Sequence, residues 1–179
     1  MLIAAIEPTL NTAPWRFQFH PEIWILTIGL VVAFVYAVRV VGPKVAPVGQ
    51  VISRKQILTF CLMILMLWLA SDWPVHDIAE EYLYSVHMMQ HMAITYFVPP
   101  LALLAIPEWL FRLLIGQGRL YKTVRFLTRP VVAAVVYNLV VVTTHIPALV
   151  NRSAAGGPLH YGLHVILVLS ALMLWTPVC

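Results

Sequence analysis

Long apolar segments separated by short polar ones dominate the pattern of the 179-residue chain. A helix that crosses a bilayer needs about 20 predominantly apolar residues, and five segments come close to that length. The pattern therefore predicts an all-α protein, a polytopic transmembrane helix bundle with about five spans that form a single domain over residues 1–179. The predicted spans cover residues 22–41, 54–71, 80–106, 130–150 and 158–178.

The composition supports a membrane location for these helices. Hydrophobic residues make up 61% of the chain and charged residues only 10%, with a mean hydropathy of +0.89. Ordinary soluble domains carry about 25% charged residues. The formal net charge of +4 is interpreted as a topology signal, so the expected surroundings are a lipid bilayer and no nucleic-acid partner is predicted.

Basic residues occupy the connections on one side of the predicted bundle. Residues 72–79 and 151–157, on the other side, hold only Arg152 between them. Because cytoplasmic loops carry an excess of lysine and arginine, this asymmetry predicts an amino terminus outside the cell and a carboxyl end inside. The basic residues near the predicted inner side are Arg39, Lys44, Arg54, Lys55, Arg112, Arg119, Lys122, Arg125 and Arg129.

Local signals refine this topology. Pro99 and Pro100 lie near the inner end of span three, where two missing backbone donors should kink or end the helix.

Residues 1–22 lack a basic region followed by a long apolar core, so we expect no cleaved signal peptide. Cys61 and Cys179 are too few and too far apart for a disulfide framework.

Five histidines fall within three of the predicted spans. His87 and His91 form one i, i+4 pair, and His160 and His164 form a second, so each pair shares a helix face. At about 1.5 Å per residue, the first pair lies roughly 10 and 16 Å from the outer end, the second pair roughly 3 and 9 Å, and His145 roughly 8 Å. Intramembrane histidines usually face a bundle interior or a wet cavity. We therefore predict a shared metal or cofactor site in the outer half.

Further side chains accompany the first histidine pair. At about 100° per residue, Glu80 and Tyr84 share its helix face, and Met88 and Met92 form the neighbouring stripe. Two alternatives stay open: methionines in apolar helices often fill packing gaps, and an intramembrane histidine such as His145 often only hydrogen-bonds to another helix.

The donor types favour copper. Imidazole suits zinc, copper, iron and nickel, whereas thioethers select Cu(I). We expect Asp72, His76 and Asp77, in the outer loop, to attract a cation at the mouth of the site. As alternatives, Asp77 caps span three and Asp72 is a solvated loop acid. His20 precedes span one beside Trp15 and Trp24, and we expect it to belong to an interfacial aromatic belt.

Other functions remain open from the residues alone. One histidine from each of two facing helices could ligate haem b, giving a b-type haem protein. A histidine-lined transporter or channel is less favoured, because spans one, two and five lack buried acids for a relay. The chain shows no set of nucleophile, base and orienting group, so it is not predicted to be an enzyme.

The ordered motifs resemble a known family. "HMMQHM" followed by "VPPLALLAIPEWL", together with "DWPVHDIAEEYLYSVHMMQH", "THIPALV", "HYGLH" and "LWTPV", is similar to the CtaG family of cytochrome c oxidase assembly factors associated with bacterial caa-type oxidases. The resemblance extends from "WRFQFHPE" to the end of the chain.

This resemblance implies a multi-pass protein of the bacterial plasma membrane that matures a haem-copper oxidase. It implies that the protein helps copper to reach the copper B centre, with oxidase subunits as partners, most of all the subunit that holds that centre. A scaffold for oxidase subunits, with structural histidines, is the non-metal alternative. Family members usually have about seven spans, so a chain ending at Cys179 is expected to be a fragment or a shortened member. The family's motif histidines correspond to His87, His91, His145, His160 and His164.

Overall fold

Helices account for nearly all of the regular structure in this computed structural model, which describes residues 17, 19–47, 49, 51–153 and 158–179. Nine helices and no strand occur within these residues. The helices are α1 (Pro21–Val45), α2 (Arg54–Ser71), α3 (Val75–Glu81), α4 (Tyr84–Ala105), α5 (Glu108–Ile115), α6 (Arg119–Leu127), α7 (Pro130–Thr144), α8 (Pro147–Ser153) and α9 (Pro158–Trp175). Two of them, α1 and α4, each contain a π-helical turn.

The all-helical prediction is confirmed, but five spans are not clearly present. By length and composition, α1, α2 and α4 could each cross a membrane, and α6 with α7 makes a fourth candidate only if their 76° bend lies within one span. The apolar helix α9 is shorter than these. Three or four candidate spans in the described part of the chain are consistent with a membrane protein.

The predicted span 130–150 is too long. Helix α7 ends at Thr144, and α8 starts at Pro147. A proline disfavours helical geometry in the residue before it, which explains the break at His145 and Ile146. His145 consequently lies at the end of α7 and not inside a continuous helix.

The predicted span 80–106 begins too early. Backbone N–H groups of Tyr82 and Leu83 both donate to the Ile78 carbonyl, at 3.1 and 2.8 Å, which closes α3. Leu83 is extended, and α4 starts at Tyr84. The predicted outer loop 72–79 is therefore largely helical, and Glu80 belongs to α3 instead of the histidine helix.

The proline pair does not end α4. A π-helical turn at Ala93–Phe97 precedes the prolines, and the helix continues to Ala105. The Thr95 carbonyl would pair with residue 99 in an α-helix or residue 100 in a π-helix, and both are prolines without an N–H. The Trp175 indole Nε1 donates to this carbonyl instead, at 3.1 Å. The prolines thereby create an acceptor that ties α9 to α4.

Apolar packing joins the other two histidine-bearing elements. Tyr137 on α7 forms a buried cluster with Leu167 and Ala171 on α9. This contact brings the α9 histidines near the end of α7, where His145 lies. Helix α2 packs along the second half of α4.

Candidate functional site

A cavity of about 160 Å³ lies among α3, α4, the end of α7, α8 and α9. All five predicted motif histidines line it, and Met88 and Tyr84 contribute to the same wall. Regular α-helix between Tyr84 and Met92 puts His87 and His91 on one face, and α9 does the same for His160 and His164. The structure therefore brings together the histidines that periodicity and depth had grouped.

The imidazole rings form a continuous series. His87 lies 4.4 Å from His91, His91 lies 4.8 Å from His164, and His164 lies 4.6 Å from His160, measured between ring centroids. His87 and His164 are 6.3 Å apart, and His145 is 6.0 Å from His91. His91 and His164 are thus the central members, each near rings from another helix.

The backbone fixes the tautomer of His145. Its Nδ1 donates to the Val141 carbonyl at 2.7 Å, which leaves the Nε2 lone pair for a ligand. Metal-binding histidines commonly donate their other ring N–H to a carbonyl or carboxylate in this way. His145 therefore has the hydrogen-bonding pattern of a ligand, although it lies at an exposed helix end.

The distances between the rings bear on whether these histidines could share one ion. A metal-bound imidazole nitrogen lies about 2 Å from its ion, so two rings that share an ion have centroids within about 6 Å. Two separations among His87, His91 and His164 are within this limit, at 4.4 and 4.8 Å, and the third, at 6.3 Å between His87 and His164, slightly exceeds it. Within the described residues, however, no group of three or more His, Cys, Asp or Glu is arranged to hold a metal. Binding of a shared ion would require these side chains to rearrange.

The two predicted methionines occupy different positions. Met88 is half-buried and lines the cavity. Met92 does not line it and is 57% exposed, as is its neighbour Met89 at 68%. Only Met88 is therefore placed to act together with the imidazoles.

The acidic residues predicted at the mouth are buried. Asp72 is 3% exposed at the end of α2, and Asp77 is 5% exposed in the first turn of α3. The alternatives of a solvated loop acid and a cap for the histidine helix are therefore both wrong. Tyr84 is exposed, and its ring lies 6.0 Å from that of His87. The Glu80 side chain lies outside the described residues.

A second polar cluster adjoins the cavity. His20 Nε2 donates to Asp77 Oδ1 at 2.8 Å, and Gln90 Nε2 donates to His76 Nδ1 at 3.1 Å. The His20 and His76 rings are 5.0 Å apart. His20 is thus paired with an acid, a contact that its assignment to an aromatic belt did not predict. That assignment stays a prediction, and Trp15 lies outside the described residues. Sequence reasoning missed His20 and Gln90, although the shared outer depth of His20 and Asp77 was an available signal.

Comparison with known proteins identifies a family. The family model described as cytochrome c oxidase caa3 assembly factor (Caa3_CtaG) matches residues 32–179. This range includes every residue that lines the cavity and begins later than the resemblance seen from Trp15. No curated protein and no solved structure matches the chain.

Proposed function

This chain belongs to the family of cytochrome c oxidase caa3 assembly factors, and on that premise we propose that it helps to deliver copper to the copper B centre of the oxidase. A role in oxidase assembly, and hence association with oxidase subunits, follows from the family. The proposal adds that copper is the cargo, that the histidine cavity holds it, and that the partner is the subunit containing copper B.

One observation carries the proposal: five histidines from three elements line a single cavity. Histidine is costly within an apolar helical protein and usually marks a functional site. A histidine with a purely structural role needs only one hydrogen-bond partner. A site in which several histidines bind the same copper ion explains why His91 and His164 each lie near several other rings.

The donor set supports Cu(I). Imidazoles with one adjacent thioether suit this soft ion, and Met88 is the thioether on the cavity wall. We assign ion holding to the histidine pairs and Met88, completion of the ligand set to His145, and hand-over to the exposed Met92. We assign Asp72, Asp77 and His76 to the entry route near the outer end, with Tyr84 at the rim.

The proposed setting is a bacterial plasma membrane with the amino terminus outside. In that setting α7 and α9 complete the bundle to five spans, and the cavity lies in its outer half. The loop charges support this orientation. Copper would then be received from outside the cytoplasm.

Copper binding by purified protein tests the proposal. We expect His87→Ala/His164→Ala to lose bound Cu(I), because it removes one ring from each helical pair. The matched control is Met89→Ala/Val165→Ala, which changes exposed residues on the same two helices and should bind as the wild type does. Full copper stoichiometry in the double-histidine variant would show that these residues are not the site.

Visible absorption separates the haem alternative. Small-molecule pockets usually measure about 300–1,000 Å³, so a cavity of about 160 Å³ favours an ion over a macrocycle. We expect no Soret band from the purified protein. A Soret band that disappears in His87→Ala or His164→Ala would replace the copper proposal with haem b.

A further inference from the structure

The start of α1 contacts two other helices, α3 and α9. His20, just before α1, donates to Asp77 on α3 at 2.8 Å. Two residues later, Glu22 Oε1 accepts a hydrogen bond from the Tyr161 hydroxyl on α9 at 3.0 Å. Tyr161 follows His160 directly. One turn of α1 therefore reaches both α3 and α9.

Helix α3 extends this connection to α4. His76, the neighbour of Asp77, accepts from Gln90 Nε2 at 3.1 Å, and Gln90 directly precedes His91. His20 Nδ1 also lies 3.5 Å from Glu22 Oε1. The contacts therefore form one series that ends beside His91 on α4 and beside His160 on α9.

Most members of this series are sheltered from solvent. The side chains of His20 and Asp77 are 15% and 6% exposed, and Gln90 is 4% exposed. Hydrogen bonds to a charged group are stronger than neutral ones, and a buried polar group that loses its partner carries a desolvation penalty. Glu22 is more exposed, at 40%, so its bond with Tyr161 is the weaker connection.

Helix α9 packs mainly on the inner half of α4, so the distance between α9 and the outer half of α4 depends on other contacts. Helix α9 packs against residues 93–105 of α4, and the Trp175 bond to Thr95 also lies in that half. His87 and His91 lie in the other half. Side-chain contacts at the outer end can therefore set how close the two histidine pairs come.

We propose that these six residues form an outer brace that positions the α4 and α9 histidine pairs relative to each other. Its effect on copper rests on the proposed function, whereas its effect on helix separation does not. His20 and Glu22 lie outside the 32–179 family match, so the brace is not an assignment of the family. Its members are His20, Glu22, His76, Asp77, Gln90 and Tyr161.

Helix separation in copper-free protein tests the brace. Spin labels on Met89→Cys and Val165→Cys, with Cys61→Ser and Cys179→Ser, report the α4–α9 distance from exposed positions. We expect Tyr161→Phe, which removes one hydroxyl, and His20→Ala to broaden or shift the distance distribution. His20→Gln keeps an N–H donor and should restore the wild-type distance distribution. The control Glu108→Gln alters an exposed pair with Arg112 and should leave it unchanged.

The Cu(I) dissociation constant, measured by chelator competition, gives the second result. Losing groups that orient metal ligands typically weakens binding about 10–100-fold, so we expect about a 10-fold rise in Kd for His20→Ala. Wild-type distance distributions in both Tyr161→Phe and His20→Ala would overturn the brace, even if copper binds. If the distances change but neither the wild type nor any variant binds copper, the brace is supported and only the copper proposal is contradicted.

Discussion

His145 shows how local backbone structure selects the atom that a histidine offers to a ligand. Its Nδ1 donates to the Val141 carbonyl, which also accepts the backbone N–H of His145 at the end of α7. The histidine pairs were predictable, because i, i+4 spacing on a regular helix fixes a shared face. The tautomer of His145 could not be predicted in this way. It depends on where α7 ends, and apolar length alone put that end at residue 150 instead of Thr144.

Replacement of His145 tests its role as a ligand. We expect His145→Ala to weaken Cu(I) binding by at least about 10-fold, since even the loss of a group that only supports a metal ligand typically costs about 10–100-fold. Asn138→Ala is the control on the same helix, since Asn138 is exposed and its side chain donates to the Ala134 carbonyl of its own helix. Equal affinities in the two variants would remove His145 from the ligand set.

Replacement of the two methionines, Met88 and Met92, should have different effects on Cu(I) affinity. Met88→Leu should lower equilibrium affinity for Cu(I) several-fold, because it replaces a thioether on the cavity wall. Met92→Leu should leave the affinity unchanged, because Met92 is exposed and outside the cavity. Chelator competition measures both, and a larger loss in Met92→Leu would reverse these assignments.

At the scale of the helices, the prolines of α4 and the tryptophan of α9 together connect the two helices. Pro99 and Pro100 deny the Thr95 carbonyl its intrahelical donors, and Trp175 supplies another. Sequence analysis anticipated a disturbance at the prolines, but the partner lies 80 positions away and only packing reveals it. The break at Leu83 was equally hidden, because it depends on backbone bonds to Ile78.

Removal of the Trp175 donor should destabilise the fold. Thr95 is 4% exposed, and an unsatisfied buried polar group costs about 1–3 kcal/mol. We therefore expect Trp175→Phe to lower the free energy of unfolding in detergent by about that amount. Trp68→Phe is the control, because the Trp68 indole N–H makes no hydrogen bond to the described residues. Equal losses in both variants would indicate that ring volume, not the Thr95 bond, matters.

At the scale of the whole molecule, composition and motifs indicated an all-helical membrane protein and its family. The number of spans was less predictable, because apolar length does not reveal helix breaks such as the one before Pro147. The outer brace was missed for a related reason. Its contacts join residues 57 and 139 positions apart, and no local pattern encodes such pairs.

Orientation in the membrane is testable with single cysteines. The loop charges place the start of α4 outside and α6 inside. In intact cells, and with Cys61 and Cys179 replaced by serine, a membrane-impermeant thiol reagent should label Ser85→Cys but not Thr123→Cys. Both positions are exposed in the fold. The opposite labelling would place the histidine cavity on the cytoplasmic side.

Copper content of the assembled oxidase tests the central claim most directly. We would purify cytochrome c oxidase from cells that carry the wild-type chain, His87→Ala/His164→Ala or Met89→Ala/Val165→Ala, and measure copper B per assembled enzyme. The proposed function predicts copper-deficient oxidase only with the double-histidine variant. Oxidase with full copper B occupancy in that variant, even at reduced yield, would contradict copper delivery and support a scaffold.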